Sequence, residues 1–119
     1  MRPLKINLLG FESAVLKSDI PFLVLFGAVW NYESRRIGYQ LDHWSEKLDG
    51  KIRTGFADLD VVPDLFSDYG VYEIPTMIIF EDGKPFKPRV GFTDSRHVEN
   101  YLRYFYGGYI PLPKKTNNN

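Results

Sequence analysis

The stretch Phe22-Leu23-Val24-Leu25-Phe26-Gly27-Ala28-Val29-Trp30-Asn31-Tyr32-Glu33-Ser34-Arg35 contains both the centre of the fold and the candidate site. Phe22 to Phe26 is continuously apolar, the pattern of a strand buried on both faces, so other elements must cover the sheet from two sides. Gly27 and the mixed residues after it end the strand. From Glu33 to Leu48 the apolar residues Ile37, Leu41, Trp44 and Leu48 recur at helical spacing and line one face, and Asp49-Gly50 closes that helix. The opening of this strand-to-helix unit, Trp30 to Ser34, is therefore a loop and a first helical turn at one end of a sheet.

Working outward, short β-rich runs alternate with helical periodicity, as in an α/β domain with helices packed on a central sheet. Ile6 to Leu9 reads as a first strand and Glu12 to Lys17 as a short helix before a turn at Ser18-Asp19. Ile52 to Asp60 is a strand, and Pro63 suits the first turn of a short helix carrying Leu65 and Phe66, stopped at Gly70. Thr76 to Phe80, the turn Glu81-Asp82-Gly83-Lys84 and Pro85 to Val90 predict an antiparallel hairpin. Thr93 or Asp94 caps a last helix with Val98, Tyr101, Leu102 and Phe105 as its core stripe, ended by Gly107-Gly108. The domain then covers residues 1–108, and residues 109–119 form a tail, mobile unless bound to a partner.

The chain has 119 residues, 44% hydrophobic and 16% aromatic, enough for one sizeable core and too few for two ordinary domains. Lys plus Arg and Asp plus Glu each number 15, so no summed field draws the chain to nucleic acid or an anionic membrane. No apolar run has the length to cross a bilayer, and the N-terminal residues lack the apolar core and cleavage site of a signal peptide. A cytoplasmic location, or an equivalent one such as organelle stroma or a virus-infected cell, is the expectation. The chain contains no cysteine, which removes disulfides, thiolate nucleophiles and Cys-based metal sites together.

Three segments resemble the thioredoxin family. Phe22 to Trp30 is similar to its central strand and the tryptophan that follows; Val71-Tyr72-Glu73-Ile74-Pro75-Thr76 is similar to the segment with its cis-proline; Gly83 and Gly91 match its hairpin turn and the following glycine. The resemblance covers about residues 10 to 106 and implies a thioredoxin-like α/β fold, a central mixed sheet with helices on both faces. It also implies a departure. Where the family has Cys-x-x-Cys, this sequence has Asn31 and Ser34, and neither an amide nor a neutral hydroxyl exchanges with a disulfide. The family's buried aspartate and its lysine partner, which assist proton transfer at the resolving cysteine, fall on Leu25 and Phe56. Both polar groups have become apolar, the more stable solution once thiol chemistry is gone.

The resemblance brings Trp30, Asn31, Tyr32, Glu33, Ser34, Ile74, Pro75 and Gly91 to one end of the sheet, the face on which the family grips an extended peptide. Ile74 would offer its backbone to such a peptide by β-type pairing, and Trp30 and Tyr32 are residue types enriched at interface hot spots. Each also has a structural role open to it: Pro75 in a chain reversal, Trp30 in packing, and Glu33 at the positive end of a helix dipole. Arg35 and Arg36 read as a solvated face. Ser34 has no histidine nearby in sequence to activate it, His43 and His97 lying on other stretches. Asp58 and Asp60 share a strand face by spacing but bring no further ligands, so no metal and no cofactor is expected. The tail residues Tyr109, Ile110, Pro111, Leu112 and Pro113 mix apolar side chains with proline, a composition able to dock extended on another protein. The expectation is a redox-inactive, non-catalytic protein-binding module or subunit of an assembly. The alternatives are a thiol-independent peptide-binding chaperone and a cysteine-free enzyme that binds a thiol cofactor such as glutathione.

Overall fold

The computed structural model describes residues 4–6, 8–91 and 95–112. In chain order it holds β1 (Leu4–Ile6), α1 (Leu8–Phe11), which continues as a π-helical turn over Glu12–Leu16, β2 (Phe22–Gly27), α2 (Tyr32–Lys47), β3 (Arg53–Asp58), α3 (Pro63–Asp68), β4 (Thr76–Glu81), β5 (Lys84–Pro85), β6 (Arg89–Val90) and α4 (His97–Phe105). The sheet runs β1-β3-β2-β4-β5, with β6 also paired to β4. β1 and β2 lie parallel to β3, whereas β2 and β4 are antiparallel, so the sheet is mixed.

The apolar run of β2 divides by parity into two cores. Phe22, Val24 and Phe26 face one way with Ile78 and Phe80 of β4, under Phe11, Val15, Leu65 and Phe66 from α1, the π-helical turn and α3. Leu23 and Leu25 face the other way with Met77 and Ile79, under Ile37 and Leu41 of α2 and Val98, Tyr101 and Leu102 of α4. Successive strand residues point to opposite faces, so a strand covered on both sides must be apolar throughout.

The first strand differs from the sequence reading. Ile6 ends β1 instead of starting it, and Leu8 and Leu9 are helical. Among the described residues the strand pairs with Gly55, Phe56 and Ala57 of β3, and the helical path from Leu8 turns Phe11 and Val15, four residues apart, onto one buried face. The third-strand reading is shortened in the same way: β3 stops at Asp58, whose carboxylate accepts from the Asp60 amide at 3.0 Å in a turn. Asp58 and Asp60 therefore do not share a strand face, and among the described residues no cluster of metal-binding side chains occurs.

The hairpin closes through Asp82 (φ 53°) and Gly83 (φ 77°), two left-handed residues as a type I′ turn requires. Its second arm is broken, because Pro88 has no amide to donate and the chain leaves β4 between β5 and β6. In that gap Phe86 donates to the Ile79 carbonyl at 2.7 Å. The Ile79 amide is left to the Tyr101 hydroxyl at 2.9 Å, which in turn donates to the Lys87 carbonyl at 2.9 Å. A side chain from α4 thus substitutes for the missing strand.

α3 begins with Pro63 at its first turn, and Gly70 follows it with φ 66°. After α4, Gly107 and Gly108 have positive φ, matching the expected helix stop. Ile110 packs against the second core, whereas Tyr109 and Leu112 are exposed. The proposed caps Thr93 and Asp94, and the tail from Pro113 onward, lie outside the described residues. Among the described residues no helix is long and apolar enough to cross a membrane.

Candidate functional site

Strand register brings the site's loops together. Phe26 pairs with Thr76, and Thr76 pairs with Val90, so the ends of β2 and β6 and the start of β4 meet at one end of the sheet. The loop after β2 joins them there with Trp30, Asn31 and Tyr32, and the segment before β4 brings Ile74 and Pro75. The Ile74-Pro75 bond is cis. Gly91, with φ 78°, donates its amide to the Pro75 carbonyl at 2.7 Å. The site residues expected from sequence are thus assembled from three separate segments.

The positions where cysteines would stand form a hydrogen-bond network. Asn31 caps α2: its Oδ1 accepts from the Ser34 amide at 2.8 Å and from the Ser34 hydroxyl at 2.7 Å. The Ser34 oxygen in turn accepts from the Ala28 amide at 3.2 Å. Asparagine is among the best N-cap residues because its carbonyl satisfies an amide that the helix leaves unpaired. Ser34 is 2% exposed, so its hydroxyl is closed off from solvent and tied to the backbone that leads into the helix. Neither of these hydrogen-bond partners is a base, so no described residue is placed to activate it as a nucleophile.

Gly27 makes this arrangement possible. A Cβ there would collide with the Ser34 Oγ and fall 2.8 Å from its Cβ. Beneath the cap, Leu25 and Phe56 stand directly opposite each other on β2 and β3, an apolar neighbouring pair where the family has its charged one. Leu25 is 1% exposed, a place where an unpaired carboxylate would be costly.

The outward side of the same loop has the opposite character. Val29, Trp30 and Tyr32 are exposed, as are Val61 in the loop after β3 and Tyr72 before the cis-proline. The Trp30 indole donates to Asp60 Oδ2 at 3.0 Å, and the Tyr32 hydroxyl accepts from Arg36 at 2.9 Å. Arg35 and Arg36 lie 5.9 and 5.7 Å from the centre of the Tyr32 ring. Arg35 also donates to the Val29 carbonyl at 2.9 Å. These arginines are exposed, as the reading of a solvated face expects, and they also bond to the loop and its tyrosine.

Glu33 lies exposed in the first turn of α2, where a negative charge meets the positive end of the helix dipole. Pro75 is buried and Ile74 half-buried against the first core. Among the described residues the Ile74 amide and carbonyl have no hydrogen-bond partner. Asp60 was missed as a site residue, because a carboxylate in a turn thirty positions from Trp30 gives no local signal in the sequence.

The thioredoxin family model matches residues 3–104. The chain is 36% identical to a thioredoxin of Rickettsia bellii over 93 residues, which cover 78% of this chain and 85% of that protein. It is 36% identical to thioredoxin 1 of a Nostoc species over 96 residues, 77% of this chain and 90% of that one. A Synechocystis thioredoxin is 35% identical over 97 residues, 78% and 91% of the two chains. With the two-sided mixed sheet, the cis-proline and the tryptophan-bearing loop in place, and Asn31 and Ser34 at the sulphur positions, the chain belongs to the thioredoxin family as a member without its cysteines.

Proposed function

We propose that this protein is a non-catalytic binding module, an accessory or structural subunit of a larger protein assembly, that meets its partner through the end of the sheet where the dithiol would be. One observation carries the reading: the loop ties the Asn31 and Ser34 side chains into a cap on α2 and leaves Val29, Trp30 and Tyr32 exposed on the outside. Exposed tryptophan and tyrosine beside a pair of arginines have the composition of an interface hot spot. Trp30, Asn31, Tyr32, Glu33 and the backbone around Ile74 and Gly91 form the proposed surface, while the buried Ser34 and Pro75 support it. Tyr109 and Leu112 of the tail are candidates for a second contact, and a soluble compartment suits this role.

A second reading is a thiol-independent chaperone that grips extended peptide, favoured by the unpaired main chain of Ile74. Peptide would bind there by adding a strand.

The test is affinity purification of the tagged protein from its own cells beside a Trp30→Ala/Tyr32→Ala variant and a chain truncated after Gly108. A stoichiometric partner lost by either variant is the expected result. Recovery of many unfolded chains without fixed stoichiometry would favour the chaperone, and a stoichiometric partner retained by both variants would refute the proposed surface.

A further inference from the structure

The outward face of α2 carries an uneven share of the chain's charges. Tyr32, Arg35, Arg36, Tyr39 and His43 fall at helical spacing on the side opposite the buried Ser34, Ile37, Leu41 and Ser45, and each of them is exposed. Lys47 continues the series, its ammonium 5.5 Å from the centre of the half-buried Trp44 ring. Beside this stripe, a crevice of about 370 Å³ lies between α2 and the residues leading into α4, with Tyr39 and Trp44 on one side and Ser95 and Arg96 on the other.

The chain as a whole has no net charge, yet this face has few acids to set against its cations. Glu33 lies off the stripe, its Oε1 toward the Asn31 side-chain amide at 3.5 Å, and Asp42 is half-buried with one oxygen enclosed. Glu99, at the crevice, is held by Arg103 at 3.0 and 3.2 Å, and Glu46 is itself engaged within the chain. The arginines of α2 are set in place by their bonds to the Val29 carbonyl and the Tyr32 hydroxyl. A guanidinium carries five N–H donors in a planar fork, so such a bond fixes the group and leaves it able to take a carboxylate as well. Tyrosine, tryptophan and arginine are the residue types that dominate binding energy at protein interfaces.

We infer that this face docks an acidic segment of a protein partner, its carboxylates meeting Arg35, Arg36 and Arg96 and an apolar side chain between them entering the crevice against Tyr39 and Trp44. Planar guanidinium groups match carboxylates in charge and geometry. Phosphates would match the charge too, but single-stranded nucleic acid also needs rings open for base stacking, and those of Tyr32 and Trp44 lie against cations of α2. The surface shares only Tyr32 with the contact proposed at the end of the sheet and stands without it.

The experiment is an NMR titration of the isotopically labelled full chain at low salt. The probes are a capped peptide in which pairs of glutamates alternate with single leucines, the same peptide with glutamine in place of glutamate, and oligothymidylate. Saturable shifts at Arg36, Tyr39, the Trp44 indole and Arg96 are expected below about 1 mM for the acidic peptide, with the glutamine peptide at least about tenfold weaker. The affinity should fall as salt is raised. An Arg35→Gln/Arg36→Gln variant should bind at least about tenfold more weakly while its melting temperature stays near that of the wild type, and the exposed Tyr39→Ala should also weaken binding. Trp30→Ala should bind the acidic peptide as the wild type does, so that a failure here and a failure of the contact at the end of the sheet are told apart. The proposal is overturned if the acidic peptide gives no saturable shifts on this face, if the glutamine peptide binds as well, if either α2 variant binds as the wild type does, if Trp30→Ala loses the peptide, or if oligothymidylate binds more tightly than the peptide.

Discussion

Two buried hydroxyl groups perform similar work at different places in this fold. The Tyr101 oxygen bridges the Ile79 amide and the Lys87 carbonyl where the hairpin's edge is broken, and the Ser34 oxygen bridges the Ala28 amide and Asn31 where the main strand enters its helix. The first comes on a large side chain set in the second core. The second comes on a small side chain at a position that would hold a reactive sulphur. Their difference separates what keeps a sheet whole from what remains of a reactive centre once it has become architecture.

The largest break in that comparison is expected at Tyr101. Tyr101→Ala removes an aromatic side chain that is 2% exposed and should cost about 3–5 kcal/mol in urea unfolding. Tyr101→Phe keeps the ring but orphans the Ile79 amide, and should cost about 1–3 kcal/mol. Burial also pushes the Tyr101 phenol well above its ordinary value, so the folded state holds that proton more tightly than the unfolded chain. A raised folded pKa means that this stability is intact below the unfolded value and is lost as pH rises above it. Unfolding free energy should therefore fall as pH rises above about 10, the ordinary value for tyrosine, and Tyr101→Phe should flatten that decline. An equally steep decline in the variant would assign it to other groups, such as Tyr69 and Tyr106, whose phenols burial also raises.

The cap comes next in size. Ser34→Ala leaves the Ala28 amide without its acceptor and should cost about 1–3 kcal/mol. Asn31→Ala removes the N-cap and should cost about 1 kcal/mol. The two residues bond directly, so their double variant should be less unstable than the sum of the single changes. Additive costs in a double-mutant cycle would show that the network does not act as a unit.

Much of this could be read in the sequence because period and parity carry it. The five apolar residues of β2 required two cores, and the stripe Ile37, Leu41, Trp44 and Leu48 required a helix on one of them; all of these are buried except Trp44, which is half-buried against the second core. The edges could not be read as well. The register that gives β1 its partners Gly55, Phe56 and Ala57, and the hydroxyl from α4 that fills the gap where the hairpin's second arm breaks at Pro88, are set across the sheet. Both depend on residues far away along the chain. In the site, Asn31 and Ser34 could be located, but that they bond to each other was not visible, and the pairing of Trp30 with Asp60 needed the turn after β3 to be folded.

The smallest effects are expected on the outward side of the capped loop, and they divide the loop into two halves. Trp30→Ala loses an exposed ring and a solvent-facing hydrogen bond to Asp60, and Tyr32→Ala loses an exposed ring beside two arginines. Exposed cation–π pairs contribute about 0.5–1 kcal/mol, and surface substitutions typically change stability by about 0.5 kcal/mol, so each variant should lose less than about 1 kcal/mol in urea unfolding. Ser34, a few residues on, should lose more although its side chain is far smaller. If Trp30→Ala instead destabilises the chain as much as Ser34→Ala, the indole is part of the architecture and its exposure does not mark a contact surface. If it does not, the exposed aromatics add little to folding, which is what the proposed contact surface requires.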